Sequence, residues 1–387
     1  MTDATKELIK HKIRHNLQRA KTSVKWVVFA VISGITVGLV GTAFYFCMAG
    51  VTGLRGEHPW LIWFLPVGGL CIVGAYHLLH DERDAGTNLV ISSIHSGDKL
   101  PLRMAPLIFV STLITHLLGG SSGREGAALQ LGGSIGNEIG KLFRFDEKDI
   151  MTMCGMSAAF SALFGTPMAA AIFSMEVVSV GIMYYAALVP CVISALIAHG
   201  IAGYFGAEAE IFLLSQIPEF GVGSAVRISL LAALCALVSI LFCILLHGSE
   251  YLYKRFLSNP YIRSFVGGAV VILLTLLVGD QRYNGSGIGL IEPSMEGEAA
   301  PEMFLLKMLF TAATLGAGFK GGEIVPSFCI GGTFGCVMGK LMGFSPSLCT
   351  AVGMTAVFCG VTNCPISSLL ISFEMFGYEW MPYFLLT

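Results

Sequence analysis

Polar and apolar positions fall in long blocks along this chain. No Asp, Glu, Lys or Arg occurs in residues 26–54 or in residues 177–207. A helix that crosses the hydrocarbon core of a bilayer needs roughly 20 apolar residues, so each block is long enough for a span. Further apolar runs lie near 60–80, 104–118, 151–175, 226–247, 264–278, 303–319, 324–342 and 348–373. Several of these are short or interrupted by Gly and Pro. The pattern predicts an all-α polytopic membrane protein with tilted, broken helices, not a bundle of uniform full-length spans.

Composition supports that assignment. Of the 387 residues 55% are hydrophobic and 12% charged, against about 25% charged in a soluble domain. One soluble core of this size could not hide so much apolar surface. Residues 1–25 are polar and basic, with Lys6, Lys10, Lys12, Arg14, Arg19, Lys21 and Lys25 against Asp3 and Glu7. No short apolar core with a small-residue cleavage site follows, so this is not a signal peptide. The positive-inside bias places the segment in the cytoplasm, as a helix lying at the membrane interface. The net charge of −2 gives no sign of nucleic-acid binding. The 11 cysteines sit singly in apolar runs without any C-x-x-C pair; they read as small hydrophobes, and no metal or cofactor is expected.

The chain repeats itself. Gly132-Gly133-Ser134-Ile135-Gly136 and Gly140-Lys141-Leu142 recur 199 residues later as Gly331-Gly332-Thr333-Phe334-Gly335 and Gly339-Lys340-Leu341. Gly155-Met156, Ala158, Phe160, Pro167, Ser174 and Glu176 recur 198 residues later as Gly353-Met354, Ala356, Phe358, Pro365, Ser372 and Glu374. A weaker match lays Gly86-Thr87-Asn88-Leu89 through Gly97 over Ser286-Gly287-Ile288-Gly289 through Gly297. A near-constant offset indicates a duplicated unit, 26–206 and 225–387, joined by the more polar stretch 207–224.

Duplicated transporters place substrate at the repeat interface, on broken helices near the bilayer midplane. Each half offers a glycine-rich turn that opens a helix: 119–126 (GGSSGREG) and 318–326 (GFKGGEIVP). Pro326 suits the first turn of a helix. The unpaired N–H groups of a helix start carry partial positive charge and bind anions. For both starts to aim at one central point, the two halves must be inverted.

Glu125 is the most informative residue. An ionisable group at membrane depth is costly and usually functional. Ionised, a carboxylate at a helix start can fill the anion site; protonated, it can swing away and admit the anion, which links proton and anion occupancy. The simpler alternative is a cap that pairs with Arg124. The Arg124 side chain is assigned a structural part, because a bare guanidinium would hold a small anion too tightly for turnover. Glu323 is the matching acid of the second half, either a first-turn carboxylate satisfied by the helix dipole or a second group beside the anion. Glu176 and Glu374 take equivalent places, which suggests a shared capping or pairing role. His116, one turn before the first loop, reads as a histidine satisfied by a backbone carbonyl before it reads as a proton relay. The phenylalanines are packing residues, of which one or two can turn a ring edge to an anion.

At these residues the chain resembles the CLC family of chloride channels and anion/proton antiporters. Gly123-Arg124-Glu125-Gly126 matches its G-R/K-E-G gating motif; Gly86-Thr87-Asn88-Leu89 falls at its G-S-G-I-P loop and Gly322-Glu323-Ile324-Val325-Pro326 at its G-x-F-x-P segment. The resemblance runs from about residue 26 to the end. It implies an inverted-repeat fold, homodimers with one pore per subunit, and an anion site at Gly86, Thr87, Asn88, Gly123, Arg124, Gly126, Glu323, Ile324 and Val325, with Glu125 as the proton-coupled gate.

Departures from the pattern point to one branch. Thr87 stands for the usual Ser, Asn88 for Gly and Ala127 for Pro, and Glu323 adds an acid. The internal proton-transfer glutamate would align with Val177, so it is missing. These changes resemble the fluoride/proton antiporters, although that branch commonly has Thr where Val325 sits. The family's central Tyr is expected beyond residue 387, and no Tyr of this chain is given that part. The expected function is fluoride export in exchange for protons, in the plasma (inner) membrane amid lipid. The alternative is a chloride transporter or passive anion channel of the same fold. An intramembrane enzyme would need paired Asp residues or a nucleophile–base pair, and the apolar runs offer neither.

Overall fold

The structure, a computed structural model, describes residues 3–80, 90, 94, 100–143, 147–178, 183–215 and 217–387. The helices are α1 (Asp3–Glu57), α2 (Leu65–Leu78), α3 (Met104–Leu117), α4 (Glu125–Leu142), α5 (Lys148–Phe164), α6 (Pro167–Glu176) and α7 (Leu188–Tyr204), then α8 (Val222–Phe256), α9 (Pro260–Val278), α10 (Ile291–Met295), α11 (Met303–Gly316), α12 (Ile324–Leu341), α13 (Pro346–Thr362), α14 (Pro365–Phe376) and α15 (Met381–Phe384). Among the described residues no strand forms. Among the described residues six helical segments are long and apolar enough to cross a membrane: His11–Glu57, Pro59–Leu78, Tyr185–Tyr204, Val222–Phe256, Pro260–Val278 and Ile324–Leu341. Helices such as Met104–Leu117 and Met303–Gly316 are apolar but shorter. The protein is thus a multi-pass membrane protein whose helices vary widely in length, as the broken apolar runs predict.

At the N-terminus the basic segment is helical, as expected, and forms the first part of α1, which continues into the first apolar block. Nothing breaks it, since the first Gly is Gly34 and no Pro precedes Pro59.

Small residues set the packing within each half. A Cβ on Gly132 would run into the carbonyl of Gly155, and one on Gly136 into the carbonyl of Met151, so α4 and α5 touch backbone to backbone. A Cβ on Gly331 would likewise meet the carbonyl of Gly353, and one on Gly335 that of Cys349, where α12 crosses α13. Membrane helices associate through such close contacts because lipid provides no hydrophobic drive between them.

The halves meet through two reciprocal contacts. Glu176, the last residue of α6, accepts hydrogen bonds from the N–H groups of Ile366 (3.1 Å) and Ser367 (2.8 Å) at the start of α14. Glu374, near the end of α14, accepts them from Met168 (3.0 Å) and Ala169 (2.9 Å) at the start of α6. Two equivalent helices that each cap the other's N-terminus run antiparallel, and their repeats are therefore inverted. At the glycine loops, Gly123 N–H donates to the carbonyl of Gly322 (2.6 Å) and Gly322 N–H to that of Gly123 (2.8 Å). This isolated antiparallel bridge pairs residues 199 apart in sequence.

Candidate functional site

The bridge between Gly123 and Gly322 brings two helix starts together. Directly after it, α4 begins at Glu125 and α12 at Ile324. Each start leaves its first N–H groups without intrahelical partners. At α4 the Glu125 carboxylate folds back over that end. Its Oε2 accepts from the Arg124 N–H at 2.9 Å, and the side chain is 1% exposed. Ionised, it is a tethered anion at an amide-lined helix end. The close fit requires glycine beforehand: a Cβ on Gly123 would lie 2.7 Å from Glu125 Oε2 and 3.1 Å from Pro326 Cδ.

Arg124 is fully engaged by protein. Its Nε lies 3.3 Å from Glu125 Oε1 and its Nη2 2.9 Å from Glu210 Oε1. The guanidinium carbon stands 5.0 Å from the centre of the Tyr45 ring. These contacts hold the cation at the rim of the helix start and leave it little freedom to clamp a small ion.

A narrow cavity of about 10 Å³ touches Glu125 and Glu210 and is walled by Phe164, Phe212, Phe328, Val325, Ile288, Ile291, Met354 and Met375. That is room for about one water-sized particle. Phenylalanine rings continue from its wall as a closed chain of contacts: Phe164 to Phe328 (5.9 Å between ring centres), Phe328 to Phe358 (4.9 Å), Phe358 to Phe173 (5.9 Å), Phe173 to Phe160 (5.1 Å) and Phe160 back to Phe164 (4.9 Å). Three phenylalanines, Phe164, Phe212 and Phe328, line this cavity, against the one or two expected.

The structure brings together Gly123, Arg124, Glu125, Gly126, Ile324 and Val325. It does not bring the Glu323 carboxylate into this cavity. Glu323 instead lies within electrostatic range of His247 and Cys243 on α8. The expectation that Glu323 is the counterpart of Glu125 is also one position off. Because Gly123 pairs with Gly322, Glu323 corresponds to Arg124, and Ile324 to Glu125. Gly86, Thr87 and Asn88 lie outside the described residues. His116 is buried, with Nε2 3.4 Å from the Gly123 carbonyl and 3.4 Å from Ser122 Oγ, a histidine with a backbone partner as expected.

Two residues escape the sequence reading. Lys307 on α11 is wholly buried, and its ammonium donates to Ser121 Oγ (2.9 Å) and to the carbonyls of Tyr283 (3.1 Å) and Gly285 (2.8 Å). It thereby ties the loop ahead of the Glu125 helix to the loop ahead of α10. A lone Lys within the apolar run 303–319 is the signal that could have found it. Glu210, in the polar joining stretch, carries no such signal, because Glu208 and Glu219 are its neighbours there.

Comparison with known proteins agrees with this geometry. Residues 68–387 match the family described as voltage gated chloride channel. The chain is 35% identical over 367 residues to a chloride/fluoride channel protein of Pseudomonas syringae pv. tomato, covering 92% of this chain and 81% of that one. It is 25% identical over 404 residues to the H(+)/Cl(−) exchange transporter ClcA of Vibrio cholerae, covering 95% and 85%. Among solved structures, a CLC-type fluoride/proton antiporter superimposes with a TM-score of 0.89 at 32% identity, over 93% of this chain and 92% of that one. With the inverted repeats, the paired glycine loops and these matches in hand, the chain belongs to the voltage gated chloride channel (CLC) family.

Proposed function

We propose that this protein exchanges fluoride for protons across the membrane and thereby exports fluoride, with Glu125 as the proton-coupled gate. The observation that carries the gate is the Glu125 carboxylate folded onto the start of α4 beside a cavity with room for one water-sized particle. Fluoride and water are nearly the same size. Fluoride in place of chloride is supported by the 35% identical chloride/fluoride channel protein and the 32% identical fluoride/proton antiporter.

In this reading the carboxylate and the anion compete for one set of amide donors. Proton uptake by Glu125 neutralises the tethered anion and releases it from the helix start, and fluoride takes its place. Fluoride gives up strong hydration, so it needs close donors. These are the amides at Arg124 and Gly126 and at Glu323, Ile324 and Val325, together with Gly86 and the Thr87 hydroxyl and Asn88 amide. The Phe164, Phe212 and Phe328 ring edges complete the cage on its apolar side. Proton coupling lets export run on the inward proton gradient.

The remainder of the proposal is a homodimer embedded in lipid in the inner membrane, with the N-terminus cytoplasmic and the repeats divided at 207–224. It has no catalytic chemistry.

The test is flux from liposomes holding the purified protein, loaded with fluoride or chloride, with an anion electrode and an internal pH dye. Fluoride efflux with stoichiometric proton uptake and far slower chloride efflux is the expected result. Equal chloride flux, or flux without proton movement, would replace the proposal with a chloride transporter or passive channel.

A further inference from the structure

A gate that works by protonation must exchange protons with water, yet Glu125 is 1% exposed and lies behind Arg124. Arginine cannot relay a proton, because it stays charged throughout the accessible pH range. Val177 removes the acid that would serve from below. One other carboxylate touches the same guanidinium. Glu210 Oε1 accepts from Arg124 Nη2 at 2.9 Å, while Glu125 Oε1 lies 3.3 Å from Arg124 Nε. Both acids also border the same cavity of about 10 Å³. Of the two, Glu210 is the more exposed, with 23% of its side chain accessible.

The backbone holds Glu210 in place. Its N–H donates to the carbonyl of Phe164 at the end of α5 (3.3 Å). The adjoining Ala209 packs against Gly165, whose φ of +73° turns the chain there. The charged and titratable groups that face Glu210 are Arg124 and Glu125 from α4 and, further off, the Cys329 thiol of α12. Tyr45 of α1 closes the far face of the guanidinium. With both acids ionised the cluster carries one net negative charge, and a single proton brings it to zero, whichever carboxylate holds it.

We infer that Glu210 is the proton port of this transporter, taking protons from solvent and passing them to Glu125 through one water in the cavity they share. This rests on the gate proposed above. In the transfer an O–H bond of protonated Glu210 breaks, the intervening water accepts that proton and gives up one of its own, and an O–H bond forms on Glu125. Glu210 is left ionised and Arg124 keeps its charge, so no other reactant is needed. The fluoride and the relay water thus occupy the one shared cavity in turn, and the proton crosses from Glu210 while no anion is there.

The test compares Glu210→Gln, Glu210→His and Glu125→Gln with the unaltered protein in fluoride-loaded liposomes, following fluoride and proton flux across pH. Glu210→Gln keeps a hydrogen-bond acceptor for Arg124. It should leave fluoride binding by calorimetry nearly unchanged while slowing fluoride and proton movement together by about 100-fold or more, a usual loss for a proton-transfer group. Glu210→His restores a titrating group with a reference value near 6.5 against about 4.3 for Glu. It should recover coupled flux and move the inflection of the pH–rate profile toward neutral. A purely structural part predicts no such displacement. The inference is overturned if Glu210→Gln transports at the original rate with the original pH profile, or if the Gln and His variants share one profile. If instead Glu125→Gln still exchanges protons for fluoride, the gate itself is wrong. Should Glu210→Gln fail to fold, the His profile alone decides, since an unmoved inflection excludes a proton passing through position 210.

Discussion

Glu176 and Glu374 sit at equivalent places in the two halves and do the same thing: each caps the first turn of the other half's short helix with two backbone hydrogen bonds. The two glycine loops are also equivalent, and Gly123 and Gly322 pair across the axis between them, but their chemistry differs. One loop continues into Arg124 and the buried Glu125, the other into Glu323 and the apolar Ile324. Where the two-fold relation is kept, the residues hold the fold. Where it is broken, one half acquires a carboxylate beside the cavity and the other contributes apolar wall. A pathway needs this asymmetry, because identical acids at both helix starts would place two negative charges where one anion must bind.

The largest effect should come from abolishing the broken position. Glu125→Gln is isosteric but cannot ionise. It should reduce proton movement coupled to fluoride by at least about 100-fold, in line with the loss of a proton-transfer group, while the protein elutes as before on size exclusion. A variant that still acidifies the liposome interior in step with fluoride efflux would mean that the asymmetry at 125 and 324 is not the seat of coupling.

Lys307 offers a second asymmetry, this time of support. Its ammonium satisfies one hydroxyl and two carbonyls in a place sealed from solvent. Lys307→Met would take this donor from the Tyr283 carbonyl, while the Gly285 carbonyl keeps the Ser122 N–H and Ser121 Oγ keeps Thr311 Oγ1, and should cost about 1–3 kcal/mol, as for one buried polar group left short of a partner. The change would be visible as a lower Tm in detergent. Arg in its place carries the charge but has a larger, planar head and should not restore the original Tm. A Met variant that melts with the unaltered protein would show that the loops need no tie.

The kept symmetry can be tested at the helix crossings. Gly155 and Gly353 are equivalent, and a Cβ on either would strike a backbone carbonyl, of Gly132 or of Gly331. Gly155→Ala and Gly353→Ala should each destabilise by about 1–3 kcal/mol through overpacking, and by similar amounts. Thermal melts that differ strongly between the two would show that the halves are not packed alike.

How far this was legible in the sequence follows from the same contrast. The repeat announces itself because packing glycines must recur wherever backbones touch, and the 198- and 199-residue offsets mark those crossings. Glu125 stands out because a lone acid between glycines contradicts its apolar surroundings. Lys307 sends the same signal, but a single cation is easily absorbed into the apolar run 303–319. Glu210 could not be found, since its meaning is a contact with Arg124 86 residues away and the polar stretch around it gives no contrast. The misplaced register of Glu323 arises because like residue types were matched, whereas the backbone bridge at Gly123 and Gly322 decides the pairing. The basic N-terminal segment joins α1 because charge pattern does not report helix continuity.

The smallest expected effect is the sharpest test of symmetry. Glu176→Gln and Glu374→Gln keep the shape of the side chain but lose the negative charge that meets the helix start. Removing a helix cap costs about 0.5–2 kcal/mol, and the amide keeps part of the interaction, so each variant should lose roughly 1 kcal/mol or less. Each acid serves the other half's helix through two backbone bonds, and Glu176 also accepts from Ser367 Oγ, so Glu176→Gln should be the more costly single and the double variant should lose about the sum of the two if the caps act independently. Neither change should alter the ratio of protons to fluoride, since neither residue lines the cavity at Glu125. A shift in that ratio from Glu176→Gln alone would move the residue beside Val177 from scaffold to proton path, and would break the division between kept and broken symmetry.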